Sequence, residues 1–349
     1  MTRKLILIRH AMPDLPLGER WCVGGRTDLP LGRLGRLQAA LLPFAEELKE
    51  IRTVYCSRLL RSRETALALC GSPRELDGIE EQDMGEWDGL SFREIQSRFP
   101  ALYAAREKDP TLLPAGAESE ERVRERVCAA LRRALRQSPG DLAVVSHKGA
   151  IAALTGSREG LDYTSLTVLK ADGETFSVRG PSRRPHPALD DAVCEALLDA
   201  AGADEALKAH CRAVAELACE LGAALEARGC PINVPLLRSA ALLHDLARGE
   251  SGHAALGARW LRELGYPDVS ELVRQHHDLD AVSLDEAGLL YLADKAVRGR
   301  ERVSIEARFA ASGEKCTTLE ARAAHDRRLA AARALRDALN ARCGAELIR

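Results

Sequence analysis

The apolar positions of this 349-residue chain change their period about halfway along. In the first half, short runs of consecutive apolar and β-branched residues alternate with longer stretches of helical spacing. Residues 4–8, 53–56 and 142–146 are such runs, and each is predicted to be a strand buried on both faces. Residues 35–50, 62–69 and 118–137 repeat apolar side chains every three or four positions and are predicted helices. This alternation predicts an α/β three-layer sandwich with a mostly parallel sheet. Across 163–178 the pattern becomes strictly alternating and is broken by Asp172-Gly173, a hairpin signal that closes the first domain.

Residues 179–187 (RGPSRRPHP) hold three prolines, one glycine and three arginines, the composition of a semi-rigid linker. Beyond it no strand pattern is found. Segments starting near Ala188, Glu205, Pro235, Gly252, Val269, Leu284 and Thr318 read as helices, with Gly202, Gly229, Gly249, Gly265 and Pro267 as stops. The expected organisation is therefore a domain over 1–178, a linker over 179–187 and an all-α domain over 188–349.

Composition narrows the classes. Apolar residues at 46% and charged residues at 29% suit a globular chain, and a formal charge of -2 gives no reason to expect nucleic acid or a lipid surface as partner. The apolar run at 5–8 is too short for an export signal, and no stretch reaches the roughly 20 apolar residues of a membrane span. A cytoplasmic location follows as an expectation. Ten cysteines without C-x-x-C spacing are then expected to be reduced thiols, mostly buried.

Chemistry concentrates at the predicted strand ends. Arg9-His10 follows the first strand, Ser57-Arg58-Leu59-Leu60-Arg61 the second, and Ser146-His147 closes the third. In an open parallel sheet the carboxyl ends of strands are where ligands bind. Guanidinium groups match phosphoryl oxygens with paired donors, and a neutral imidazole can take a phosphoryl group covalently. A second imidazole can stabilise the transferring oxygens.

The stretches LILIRH (5–10), GRTDLPLGRLGRLQA (25–39), CSRLLRSRETA (56–66), EQDMGEWDG (81–89) and VVSHKGAIAAL (144–154) resemble the histidine phosphatase, or phosphoglycerate mutase-like, superfamily. WCVGGRTDLPL and GEWDG are most similar to its α-ribazole phosphatase-like members. The resemblance implies that His10 is the phosphorylated nucleophile and that Arg9, Arg61 and His147 hold the phosphoryl group. It makes Glu81 the general acid, with a raised pKa, and Arg26 a substrate contact; no cofactor is implied. Ala11 and Lys148 stand where the family usually has glycine, and Ala115-Gly116-Ala117-Glu118-Ser119 replaces Gly-Gly-Glu-Ser. Lys148 either faces the phosphate or points outward.

Of nine histidines, five lie between 210 and 277: His210, His244, His253, His276 and His277. Imidazole and carboxylate are ligands for first-row divalent metals. His244-Asp245 ends an apolar helical run, and Asp294 sits inside another, where an unpaired carboxylate is costly to bury. The order His210, His244-Asp245, Asp294 resembles the HD superfamily. HAALGARWLRELGY (253–266), LVRQHH and YLADKAVRGR are similar to its di-iron branch, which hydrolyses symmetrical diadenosine polyphosphates. That likeness implies one or two divalent transition metal ions, iron or manganese, with His253 and His276 completing the site and His277 a further ligand. It also sets Arg248 against a substrate phosphate.

The two resemblances together imply a bifunctional hydrolase of phosphorylated, in part nucleotide-like, small molecules. Two alternatives stay open: a phosphomutase in the first half, and a nucleotide-sensing HD domain that regulates the first half.

Overall fold

A computed structural model describes every residue except Met1, Leu17, Glu174 and Lys315. The chain forms two compact units, Met1–Pro187 and Ala188–Arg349. In the first, β1 (Arg3–Arg9), β2 (Thr53–Cys56), β3 (Arg74–Glu75), β4 (Leu142–Ser146), β5 (Leu166–Asp172) and β6 (Thr175–Val178) make one sheet in the order β3-β2-β4-β1-β5-β6. The pairings from β3 to β1 are parallel, and those of β5 and β6 antiparallel.

The period-2 alternation of strand side chains explains why these strands are apolar throughout. Leu5, Leu7, Leu142 and Val144 face one core with Val127 and Leu131, while Ile6, Ile8, Ala143 and Val145 face a second with Leu42 and Ala66. A sheet covered on both faces needs apolar residues at every position. The helices of this unit are α1 (Arg33–Ala40), α2 (Leu60–Leu67), α3 (Phe92–Arg98), α4 (Pro100–Lys108), α5 (Glu120–Gln137) and α6 (Lys148–Thr155). Of these, α5 and α6 pack in the first core and α2 in the second, while α3 and α4 pack with Cys22 and Trp87 in a separate cluster.

The helix predicted over 35–50 is shorter than expected. It ends at Ala40 and continues as two 3₁₀ turns, Leu42–Phe44 and Glu46–Leu48, because Pro43 cannot donate the next helical hydrogen bond. The two-residue edge strand β3 and helices α3 and α4 were not expected. The start of α3 carries a legible signal, a capping box in which Ser91 and Glu94 exchange hydrogen bonds.

The proline-rich stretch is anchored along β5. Arg183 exchanges backbone hydrogen bonds of 2.8 and 3.1 Å with Leu166, Ser182 meets the Thr167 hydroxyl at 2.6 Å, and the Arg183 guanidinium pairs with Glu47.

The second unit is helical: α7 (Asp191–Ala201), α8 (Glu205–Glu226), α9 (Val234–Leu243), α10 (His253–Leu264), α11 (Pro267–Gln275), α12 (Glu286–Lys295), α13 (Ile305–Gly313) and α14 (Leu319–Cys343). Asp190, Asp204, Asn233, Asp285, Ser304 and Thr318 each cap a helix by accepting a first-turn N–H. Every residue from Ala287 to Lys295 of α12 is buried, so this helix runs through the centre of the unit. The helical expectation holds with one small departure and one further helix. A minimal ladder, β7 (Val297–Arg298) with β8 (Glu301–Arg302), turns at Gly299, and α13 was not anticipated. Strands of two residues are too short to show alternation. Among the described residues no helix is long and apolar enough to cross a membrane. All ten cysteines are free thiols, five buried and five half-buried.

Candidate functional site

Parallel pairing in register sets Arg9 opposite Ser146 and Cys56 opposite Val145. The carboxyl ends of β1, β2 and β4 thereby bring His10, Ser57 and His147 to one edge. His10 is buried, its ring centre 4.9 Å from that of His147 and 5.7 Å from that of Tyr163. Its Nδ1 lies 2.7 Å from the Ala11 carbonyl oxygen. A carbonyl only accepts, so Nδ1 carries the hydrogen and Nε2 keeps its lone pair. Burial, reinforced by Arg61 and Arg9, holds the His10 pKa well below the ordinary imidazole value. Burial does the same for His147, with His10 and Arg61 adding to it. His147 Nε2 is 2.7 Å from the Ser57 hydroxyl, and its Nδ1 is buried without a partner.

Arg9 donates to the Leu161 carbonyl at 2.7 Å, and its guanidinium lies 3.9 Å from the Tyr163 ring centre. Arg61 is wholly buried and donates to the carbonyls of Thr27 at 2.7 Å and Gly24 at 3.1 Å. The Nε atoms of both arginines are buried without a partner. Glu81 is half-buried and accepts the N–H groups of Gln82 at 2.8 Å and Gly149 at 3.2 Å. Thr164, which precedes β5, has φ of 61°, the one non-glycine residue in the left-handed region among those described. Its N–H donates to the Arg9 carbonyl at 3.0 Å, while Arg9 N–H donates to Ser165. This turn holds Tyr163 against Arg9 and His10.

A cavity of about 180 Å³ is lined by Arg9, His10, Glu81, Gly149 and Tyr163, with Lys148 and Arg158 also on its wall. Lys148 therefore faces the cavity rather than pointing outward. The methyl of Ala11 packs in a small cluster with Leu31 and Ala39. Arg26 is not among the residues lining this cavity; its guanidinium pairs with Asp83 at 2.9 Å and reaches the Gly116 carbonyl. Ser57, Tyr163 and Arg158 are site neighbours that sequence reasoning did not single out.

The second unit gathers all seven expected ligands. His210, His244 and Asp294 form one group, and His253, His276 and His277 another, each with ligand atoms within 4.8 Å of one another. Asp245 lies between the groups, its oxygens 3.2 Å from His253 Nε2, 3.5 Å from His244 Nε2 and 3.8 Å from His276 Nε2. The Nδ1 atoms of His210, His244 and His276 face the carbonyls of Gly299, Ala241 and Val273 at 3.0, 2.8 and 2.7 Å. Those bonds fix the hydrogen on Nδ1 and turn Nε2 lone pairs inward, the outer arrangement that metal-binding imidazoles need. His244 Nε2, His276 Nε2 and Asp245 Oδ1 are buried without hydrogen-bond partners. These residues fit a divalent cation.

Burial, with Lys295 adding to it, pushes the His277 pKa down to about 3. Lys295 donates to Asp294 at 2.7 Å and to the His276 carbonyl at 3.2 Å, a positioning contact that sequence reasoning missed. Arg248 is committed to Asp245 Oδ2 at 2.6 Å, so in this structure it orients a carboxylate of the cluster.

The family model for the histidine phosphatase superfamily, branch 1, matches residues 5–180, and that for the HD domain matches residues 207–299. A glucosyl-3-phosphoglycerate phosphatase of Mycolicibacterium vanbaalenii is 29% identical over 51% of this chain and 84% of its own length. The bifunctional protein Rv2228c of Mycobacterium tuberculosis is 32% identical over 50% of this chain and 52% of its own. The solved α-ribazole phosphatase from Shigella flexneri is 22% identical, covering 52% of this chain and 96% of its own, with a TM-score of 0.44. This chain belongs to the histidine phosphatase superfamily, carries an HD domain after it, and is a hydrolase.

Proposed function

We propose that the chain is a bifunctional hydrolase of phosphorylated small molecules. Its first unit cleaves phosphomonoesters through a phosphohistidine on His10. Its second unit hydrolyses a phosphodiester or phosphoanhydride of nucleotide-like type with divalent metal. The observation that carries the first half is the Nδ1 bond of His10 to Ala11, which leaves a neutral, oriented Nε2 at a strand end. In this mechanism Nε2 attacks phosphorus, and the bond to the leaving oxygen breaks as Glu81 gives that oxygen its proton. Water then attacks the phosphohistidine and returns a proton to Glu81. The buried Nε–H groups of Arg9 and Arg61 and Nδ1 of His147 lack partners. A phosphoryl oxygen supplies what they lack. The cavity of about 180 Å³ suits a phosphate with a small alcohol better than a nucleotide.

In the second unit, His210, His244 and Asp294 would hold one ion, and His253, His276 and His277 another, with Asp245 reaching both groups. Iron(II) or manganese suits this nitrogen and oxygen set. Such ions lower the pKa of bound water and clamp phosphoryl oxygens. Lys295 and Arg248 keep Asp294 and Asp245 ionised and oriented.

The test uses the full chain. Brief incubation with a phosphomonoester should trap an acid-labile phosphoprotein in the wild type and none in His10→Ala. Chelation should abolish nucleotide hydrolysis, manganese or iron(II) should restore it, and phosphomonoesterase activity should be indifferent to both. A fully active His10→Ala variant would overturn the first assignment, and chelator-resistant nucleotide hydrolysis the second.

A further inference from the structure

The first cavity holds more positive charge than one phosphoryl group requires. Arg9 and Arg61, with His10 and His147, already suffice for a phosphomonoester dianion under the function proposed above. Lys148 and Arg158 line the same cavity in addition. Among the described residues Glu81 is the one acidic side chain lining the cavity, and it is assigned to proton transfer. Lys148 opens α6, directly after His147, and its ammonium has no hydrogen-bond or ion-pair partner among the described residues. Arg158 has only a long contact of 3.8 Å with Glu120, and at 57% exposure it forms the solvent side of the wall. Burial, and then Arg9, pull the Lys148 pKa down against an opposing pull from Asp162, as expected for a cation that faces a like charge and bonds no acid.

An unpaired cation beside another cation is unfavourable in the free protein, and an anionic ligand reverses that term. Trp21, Val23 and Met84 supply a largely apolar wall for the body of a ligand reaching towards the opening. We infer that Lys148 and Arg158 form a second anion subsite, so that the preferred substrate of the first unit is a phosphomonoester carrying a further acidic group, a carboxylate or a second phosphate, on its leaving group. Lys148 is the specificity-determining residue and Arg158 its partner at the cavity mouth. The inference rests on the phosphomonoesterase reading and adds the class of leaving group.

A matched three-carbon series tests it on the full-length protein: propyl phosphate, 3-phosphonooxypropanoate and 1,3-propanediol bisphosphate. The wild type should turn over at least one doubly acidic ester with kcat/KM at least tenfold above propyl phosphate. Added salt should shrink that ratio. Whichever ester leads identifies the second group as carboxylate or phosphate. Lys148→Met should bring the ratio to within about threefold of unity, because a lost charge contact acts on one substrate class only. Lys148→Arg should keep most of the ratio. General damage to the fold would lower all three esters alike and leave the ratio standing. Equal kcat/KM across the series in the wild type, or a ratio unchanged in Lys148→Met, would overturn the subsite. Absence of turnover with all three, together with absence of phosphoprotein, would instead overturn the phosphomonoesterase reading.

Discussion

A Cβ placed on Gly149 would lie 2.3 Å from Oε1 of Glu81. The clash is with the end of a side chain that can swing away, so the backbone of α6 need not move. The same glycine donates its N–H to the other oxygen of that carboxylate. Gly149 thus sets both the room and one of the hydrogen bonds that fix where Glu81 stands.

Gly149→Ala should therefore separate activity from stability. Displacing the general acid is expected to lower kcat by roughly a hundredfold or more, within the usual range for proton-transfer groups. The midpoint of thermal unfolding should stay near that of the wild type. A variant with intact kcat would show that Glu81 works from another position or is not the acid.

Arg61→Lys should fail structurally as well as chemically. The Arg61 guanidinium bridges the carbonyls of Gly24 and Thr27, and Asp88 holds the same loop by accepting from Gly24 N–H and the Thr27 hydroxyl. One ammonium cannot reproduce the fork, and each buried acceptor left without a donor costs about 1–3 kcal/mol. Urea unfolding should report a loss of that size, together with a strong drop in phosphatase activity. A variant as stable as the wild type would remove Arg61 from its clamping position.

Acid should destabilise the first unit through its imidazoles. Burial holds His10 and His147 below the ordinary value, so the folded protein resists a proton that the unfolded chain accepts below about pH 6.5. Protons then favour unfolding: stability is highest above the unfolded value and falls beneath it, by up to about 1.4 kcal/mol per pH unit for each ring. His10→Asn should remove one such contribution. Urea titrations of wild type and variant at pH 7.5, 6.5 and 5.5 measure the difference, and parallel pH profiles would contradict it.

The cysteines should sort by burial. Burial pushes the thiols of Cys22, Cys194 and Cys211 up to about 12 and that of Cys56 up to about 11. The thiolate is the reactive form. Iodoacetamide at pH 8 should label half-buried Cys70, Cys128, Cys219, Cys230 and Cys316 first, with the four raised thiols reacting only on unfolding. Peptide mass spectrometry reads the order.

The elements legible in the sequence were those long enough to show a period or carrying chemistry at a strand end. Strands of four or more buried residues stood out because both faces are covered, and His10 and His147 followed from where those strands stop. Ser57 and Tyr163 were not legible as site residues. Ser57 meets His147 only because β2 and β4 are adjacent, a pairing that no local pattern contains. Tyr163 arrives from the turn leading into β5, the strand that closes β1 on its other side, which pattern reading predicted as part of a hairpin without fixing its neighbour. Arg26 and Arg248 show what a motif leaves undecided. Each sits in a suggestive motif, yet nearby Asp83 and Asp245 take up its guanidinium, and the side-chain direction that decides this is tertiary. In the second unit the resemblance of the His and Asp order to the HD superfamily pointed to the cluster, while Lys295 hid as an ordinary charge at a helix end.

The left-handed turn at Thr164 bears on the order in which the first unit assembles. A β-branched residue in that conformation costs about 1–2 kcal/mol. It is compensated only when its N–H reaches Arg9 at the far end of β1. The neighbouring contact from the Arg9 side chain to Leu161 spans 152 positions of sequence. Contacts of such separation form only after the loop-closure entropy has been met, unlike those within local helices. The His10 edge is therefore completed only once the two ends of the first unit have met. A fragment ending before Leu161 lacks the wall that aims Arg9, so ligand binding at this edge should report closure of the whole unit.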